Sequence, residues 1–420
     1  MSKLERLIQQ YCPDGAEWKP LGELGDFYSG LSGKTKSDFT GGNEKFITYV
    51  NVFNNPSLKT DVPEKVKIAE GERQNTIQYG DILFTGSSET PDECGMSSVL
   101  THKTEEKLYL NSFCFGFRFF DLSDKCPSFM KYLFRSTNIR KAICKTANGV
   151  TRYNISKKEF AKIEIPIIPL PVQEEIVRVL DAFTELQAEL QAELQKRKQQ
   201  YNFYRDNLLN FKDINRGGQE IKWMKLKDVA TQWYRGAGIK REEVSNEGMP
   251  CIRYGEIHTS YNIWFKDCIS HTDEAKQPTK KYAEYGDILF AITSEDIPLV
   301  GNSVAYLGKE KIMVGGDIVV MKHNQDPRYM AYALSTSDAI KQKGKGKVKS
   351  KVVHTSVPSL QEIIIPIPPM EEQQRIADIL DRFDTLTNDL TSGLPAEIEK
   401  RRQQYEYYRD KLLTFKRKGA

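Results

Sequence analysis

A chain of 420 residues with 61 Lys+Arg against 57 Asp+Glu has a formal net charge of +4, too mild to mark a nucleic-acid binder by itself, so where the charge lies matters more. Hydrophobics at 39% and charged residues at 28% allow large cores in about two to four domains and exclude wholesale disorder. No apolar run of about 18 residues is present to span a membrane, the charged N-terminus MSKLERLIQQYCPDG is unlike a secretory signal, and seven scattered cysteines without a C-x-x-C pair speak against disulfides and zinc and fit a reducing cytoplasm.

In chain order, residues 1–165 begin with a short helix and then read as strand-rich. Short β-prone runs at Lys45–Val52, Asp81–Thr85 and Ser112–Phe120 alternate with Gly, Asn, Asp and Ser turns. The run Ile163–Pro171 reads as a stiff extended bridge, because its prolines exclude helix. From 172 to 211 the spacing predicts one long helix. Ile176, Phe183, Leu190, Tyr204 and Phe211 recur every seven residues, with Arg197 the exception; Leu180, Leu194, Tyr201 and Leu208 fill the second seam, with Gln187 the exception. Residues 216–365 repeat the strand-rich character, including Ile312–Met321, and end in a second Ile-Pro run, Ile363–Pro369. Another long helical region, 366–420, follows, and Gly393 and Pro395 should kink or break it.

The two halves are copies. RKQQYNFYRDNLLNF (197–211) and RRQQYEYYRDKLLTF (401–415) agree at ten of fifteen positions, and the segments 165–183 and 365–383 at nine of nineteen. YGDILFTGSSE (79–89) answers YGDILFAITSE (285–295), Tyr28-Ser29-Gly30 answers Tyr234-Arg235-Gly236, and Ile47-Thr48-Tyr49 answers Ile252-Arg253-Tyr254. Offsets of 200 and 204 put four extra residues in the second helical block, a coiled-coil stutter. Constant parts agree and variable parts differ, which suggests one architecture reading two different things. The expected fold is α+β: two mixed, strand-rich domains (1–165 and 216–365) and two helical regions (166–215 and 366–420), the long helices pairing antiparallel as a coiled coil in a pseudo-twofold repeat. Two amphipathic helices packed on unrelated domains is the blander alternative.

No catalytic set stands out. Gly30-Leu-Ser-Gly33-Lys34-Thr35 imitates a phosphate loop, but Tyr28 stands where that motif needs its first glycine. Asp92 followed by Glu105-x-Lys107 imitates a metal-nuclease set, but the second copy lacks it. The five histidines have no metal-binding spacing.

Basic stretches sit at equivalent places before each Ile-Pro run. The first holds Arg140, Lys141, Lys145, Asn148, Gly149, Arg152, Tyr153, Lys157 and Lys158. The second, 341–351, has six lysines in eleven residues and no acid. Lysines on a glycine-rich backbone suit phosphate oxygens. The loops after Gly-Asp-Ile-Leu-Phe, Thr85–Met96 and Ala291–Gly301, carry Ser, Thr, Glu and Asp, side chains able to read base edges. Ordinary solvated loops are the alternative for both.

The doubled order of the Ile-Pro…Gln…Ile…Leu-Asp-x-Phe blocks, the Arg-x-Gln-Gln-Tyr…Tyr-Arg-Asp-x-Leu-Leu-x-Phe blocks and the Gly-Asp-Ile-Leu-Phe motifs resembles the specificity subunits of type I restriction–modification enzymes over essentially the whole chain. The resemblance implies that each strand-rich domain is a target recognition domain reading half of a bipartite site in the major groove of double-stranded DNA. It implies that the helices set the spacing and dock two modification subunits, and that restriction subunits join them. S-adenosylmethionine, ATP and Mg would then act on those partners, with no catalysis, cofactor or metal on this chain. The expected DNA contacts are Lys34, Lys36, Ser87, Ser88, Glu89, Lys145, Asn148, Arg152 and Tyr153 in the first domain. In the second they are Arg235, Lys240, Arg241, Ser294, Glu295, Lys343, Lys345, Lys347 and Lys349. Aromatic clusters expected to be exposed for the partner are Tyr201, Phe203, Tyr204 and Tyr405, Tyr407, Tyr408. Competing functions are a coiled-coil scaffold for protein-binding modules, which would show no salt-dependent DNA binding, and a nuclease, which would cleave DNA with metal.

Overall fold

The strand Cys114–Phe119 alternates its side chains, sending Phe115, Phe117 and Phe119 into one core. It pairs antiparallel with Gly25–Ser29 on one side and Ile82–Thr85 on the other, and Ser97–Val99 completes a four-stranded sheet. Ile82 and Phe84 face this core while Leu83 faces a second one with Ile47, Val52, Leu108 and Leu110. That explains the unbroken apolar run in Asp-Ile-Leu-Phe: the strand is buried on both faces. A three-stranded sheet of Lys65–Val66, Glu44–Ile47 and Leu108–Leu110 encloses the second core.

This computed structural model describes residues 2–211, 221–295, 299–345, 353–388 and 393–419. The chain divides into two compact units, Met1–Glu189 with Lys400–Ala420, and Leu190–Glu399. The second unit has sheets of the same kind. Ala230–Arg235, Ile318–His323, Ile288–Ala291, Ser303–Tyr306 and Trp264–Phe265 form one, and Met249–Ile252 lies in the other beside Ile312–Val314.

Three expectations need correction. Val50 and Val52 are helical, because Thr48 caps the helix Tyr49–Asn54 by accepting from Asn51 N at 3.3 Å. The run Ile312–Met321 is two strands parted at Gly315-Gly316. The Ile-Pro runs are paired strands and not free bridges: Glu164–Ile167 pairs with Glu17–Pro20, and Ile364–Ile367 with Lys222–Lys225. The prolines fit because each two-stranded ribbon leaves an edge needing no donor.

The first long helix runs Leu170–Leu208, 39 residues, about 58 Å, with Pro171 in its first turn. The second helical region is two helices, Met370–Asn388 and Gly393–Leu412. Gly393 has φ +71°, a left-handed conformation that no continuous α-helix contains, so the expected interruption is present.

The repeated helical motifs fasten helices to the domains. In the first unit Val172, Ile176, Leu180 and Leu413 join the core of Phe84, Phe115 and Phe160. Gln173 accepts from Cys126 N at 2.9 Å, and Tyr132 donates to Asp181. Asp410 caps the helix Thr137–Cys144, accepting from Thr137 N at 3.0 Å and Thr137 Oγ1 at 2.6 Å. In the second unit Gln373 accepts from Asp326 N at 3.0 Å, Tyr332 donates to Asp381 at 2.7 Å, and Asp206 accepts from Ser337 N at 3.3 Å. Each constant block thus carries the residues that cap and anchor the domain elements packed on it.

Candidate nucleic-acid interface

The shared Asp of Gly-Asp-Ile-Leu-Phe is architectural. Asp81 accepts from Gln78 N at 2.8 Å and Tyr28 Oη at 2.7 Å and holds the Arg118 guanidinium, while Asp287 accepts from Glu284 N at 2.9 Å and pairs with Lys322. Burial raises the Asp287 carboxyl against the pull of Lys322. The motif fixes the turn that launches a buried strand, and the chain then leaves the core at Ser87 or Thr293.

There the two loops picked out separately in the sequence meet. Ser87–Ser88 pairs antiparallel with Tyr153–Asn154, and Ala147–Asn148 adds a third strand. In the second unit Thr293–Ser294 pairs with Val353–His354, at the far end of the lysine run. A side chain from a short helix supports each exit strand: Tyr49 donates to Ser87 O at 2.8 Å, and His258 Nε2 lies 3.0 Å from Thr293 O. Burial raises the Tyr49 phenol above its usual range.

In the first unit this zipper borders a cleft of about 910 Å³ lined by Tyr49, Val50, Phe53, Ser87, Ser88, Glu89, Glu93, Phe113 and Arg152. Ser87, Ser88, Glu89 and Arg152 were expected. Tyr49, Val50, Phe53 and Phe113 were missed, although the repeat anchor Ile47-Thr48-Tyr49 pointed at the helix that bears three of them. Arg152 is exposed, with its Nε and Nη2 on Ser87 Oγ at 3.3 and 3.0 Å and its guanidinium 5.6 Å from the Phe113 ring centre. Lys145 and Asn148 are exposed on the same loop, and Tyr153 is half-buried.

Other expected contacts separate. Lys36 is exposed, but Lys34 is engaged by Glu72 and by Lys67 O with only 9% of its side chain exposed. Lys34, with Ala69 N and Gln74, holds the Glu72 carboxyl at about 2. Lys34 is therefore corrected from free phosphate contact to a loop clasp. In the second unit Lys240, Arg241, Glu295 and Lys345 are exposed, Arg235 is exposed but paired with Asp317 at 2.7 Å, and Ser294 is buried. Lys343 is a second correction: it is buried, donates to Ser303 Oγ at 3.0 Å, and burial drives its ammonium down to about 7. Its side chain fills the space beside Gly301 that Ile143 fills beside Gly95. Lys347 and Lys349 lie outside the described residues.

The aromatic clusters divide as well. Tyr201 is buried at 5% exposure and Tyr405 packs against the first core, because their helix faces turn inward. Tyr204 stacks on Phe383 and Tyr408 on Phe183, at 5.9 and 5.5 Å. Phe203 and Tyr407, equivalent in the repeat, remain 63% and 62% exposed. Among the described residues no helix is long and apolar enough to cross a membrane, and no cluster of His, Cys, Asp and Glu could hold a metal.

Two domains of one design, each with the strand after Gly-Asp-Ile-Leu-Phe paired to a strand beside a basic stretch of sequence, match a described class. The chain belongs to the type I restriction modification DNA specificity domain family, whose model matches residues 13–197 and again 219–400. It is 34% identical over 270 residues to the EcoR124I/EcoR124II specificity subunit of Escherichia coli, covering 63% of this chain and 65% of that one. It is 30% identical over 236 residues to the MpnII specificity subunit of Mycoplasma pneumoniae, covering 52% and 62%. The match thus spans under two thirds of either relative. A solved chain from work on assembly and conformational transition of a type I restriction–modification system shares the fold, with TM-score 0.65 and 16% identity over 96% of this chain and 98% of that one.

Proposed function

We propose that this chain is the DNA sequence-recognition subunit of a type I restriction–modification complex and is itself non-catalytic. Residues 1–165 and 216–365 each read one half of a bipartite site in the major groove of double-stranded DNA. The helical regions 166–215 and 366–420 pair as an antiparallel coiled coil in a pseudo-twofold repeat, set the gap between half-sites and dock two modification subunits. Phe203 and Tyr407, with Tyr204 at 42% exposure, are aromatics offered to those partners. Adenine methylation with S-adenosylmethionine, and ATP- and Mg-dependent translocation and cleavage by restriction subunits, belong to the partners, and the complex works in the cytoplasm.

The observation that carries this reading is the zipper present in both units. In the first unit it brings a loop able to read base edges beside exposed Lys145, Asn148 and Arg152; in the second it joins the loop after Phe290 to the strand that follows the lysine run, whose residues 346–352 lie outside the described residues. The test is to purify the chain with its modification subunit and map methylated adenines. The reading requires a two-part motif with an unspecified gap and two modification subunits per chain. A one-to-one complex that methylates both strands fully would contradict the docking scheme, and methylation without sequence preference would contradict the recognition role.

A further inference from the structure

Arg152 stands in a basic stretch and reads from sequence as a phosphate contact, but its surroundings are wrong for phosphate. Two carboxylates, Glu89 and Glu93, line the same cleft. Glu89 is exposed, and Glu93 accepts only from Ser88 Oγ at 3.3 Å among the described residues. Two acids against one guanidinium repel a phosphodiester. The rest of the lining mixes uncharged polar side chains, Asn54, Ser87, Ser88 and Thr151, with apolar surface, of which Val50 is 62% and Phe113 57% exposed. Flat apolar surface beside a few fixed polar groups suits the edges of bases, where donors, acceptors and thymine methyls are presented together.

Arg152 is also held as a reading group should be. One edge of the guanidinium is spent on Ser87 Oγ, and the plane lies near the Phe113 ring. Ser87 is buried and set by the strand pairing Asn154↔Ser87 and by Tyr49 on its carbonyl. The outer N–H donors have no other partner among the described residues. A planar fork fixed on one edge and free on the other loses little entropy on binding, and its natural acceptors in the major groove are O6 and N7 of guanine.

We propose that Arg152 is a specificity-determining residue of the first unit and that it reads a guanine in the half-site which that unit recognises. This rests on the DNA-reading function proposed above. It moves Arg152 from positioning to reading. In the second unit the position aligned with Arg152 lies outside the described residues; the paired strand there carries Val353 and His354, and Ile292 N donates to Asp317 O where Gly86 N donates to Phe113 O.

The experiment uses the full chain assembled with its modification subunits. Methylation is mapped for the wild type, Arg152→Ala and Arg152→Lys, and binding is measured on duplexes with each guanine of the half-site replaced in turn by 7-deazaguanine. The expected result is one guanine whose 7-deaza replacement weakens wild-type binding roughly 5- to 150-fold. Arg152→Ala then accepts any base there, Arg152→Lys does not restore the preference, and the other half-site is unchanged, which also shows that the variants fold. A uniform loss on all sequences, complete loss included, assigns Arg152 to phosphate or to structure and overturns the proposal, as does a half-site without guanine. If the wild type methylates without sequence preference, the function itself fails; if it is specific and Arg152→Ala keeps every preference, only this assignment fails.

Discussion

The ammonium of Lys343 donates to the hydroxyl of Ser303 at 3.0 Å, with the side chain buried. The equivalent pair in the first unit is Ile143 and Ser97, where the Ser97 hydroxyl is buried without a hydrogen-bond partner. An amine has therefore been placed at a position whose sibling is a core isoleucine, with no carboxylate against it among the described residues.

That placement predicts a pH-dependent stability. The folded ammonium titrates near 7, below its ordinary value of 10.5. Between those limits the unfolded chain binds more protons, so stability rises with pH through the window and the full burial cost applies below it. Lys343→Met should raise the unfolding midpoint of the assembled protein at pH 7 by several degrees, at about 2–4 °C per kcal/mol. The advantage over wild type should shrink steadily toward pH 10. Calorimetry of both proteins across that range is the check.

Positioning cations should behave differently from reading groups. Replacing exposed Lys345 together with Lys347 by alanine should weaken binding to every sequence alike. Each lost phosphate contact should reduce the salt slope by about 0.9, so by up to about two units together. The methylated motif should stay the same. Lys343→Met alone should leave the slope unchanged, because a buried group releases no counterion.

Asp410 ties the last helix to the first domain. Burial opposes its ionisation, but Arg409 and both donors of Thr137 outweigh it and hold its carboxyl below the usual range. The stabilisation is present above that range and is lost on acidification. Asp410→Ala should cost about 1–2 kcal/mol at pH 7 in urea unfolding, and the gap to wild type should close toward pH 3.

Much of this was readable before any coordinates. Heptad spacing located Leu170–Leu208 within a few residues, and the copied motifs showed two domains of one design. What escaped was what only folding decides. Val50 and Val52 favour strand, yet one threonine hydroxyl at Thr48 starts a helix there. Lys343 looks like five other lysines in its run, and only the packing beside Gly301 distinguishes it. Arg152 reads as a phosphate contact because its neighbours in sequence are basic, and only the fold sets it on Ser87 and beside the Phe113 ring, in a cleft that Glu89 and Glu93 also line.

The tandem Thr184-Glu-Leu-Gln187, Ala188-Glu-Leu-Gln191, Ala192-Glu-Leu-Gln195 lies wholly inside the first long helix, and the division between compact units falls within it at Glu189. One repeat adds about 6 Å and about 40° beyond a full turn. A base pair advances DNA by about 3.4 Å and turns it about 35°. Rotation should dominate, since a misphased domain faces phosphate instead of groove. Deleting Ala188–Gln191 should shorten the gap by one base pair and leave both half-sites unchanged. Methylation mapping against gaps of every length is the check, and an active variant with the original gap would make the repeat helix filler.

The most direct measurement of the whole account is an exchange of residues 216–362 for the equivalent segment of another family member, followed by methylation mapping of the assembled complex. Two independent readers on a common helical frame require that one half-site changes to the donor's while the other half-site and the gap persist. A change in the first unit's half-site, or in both, would contradict it.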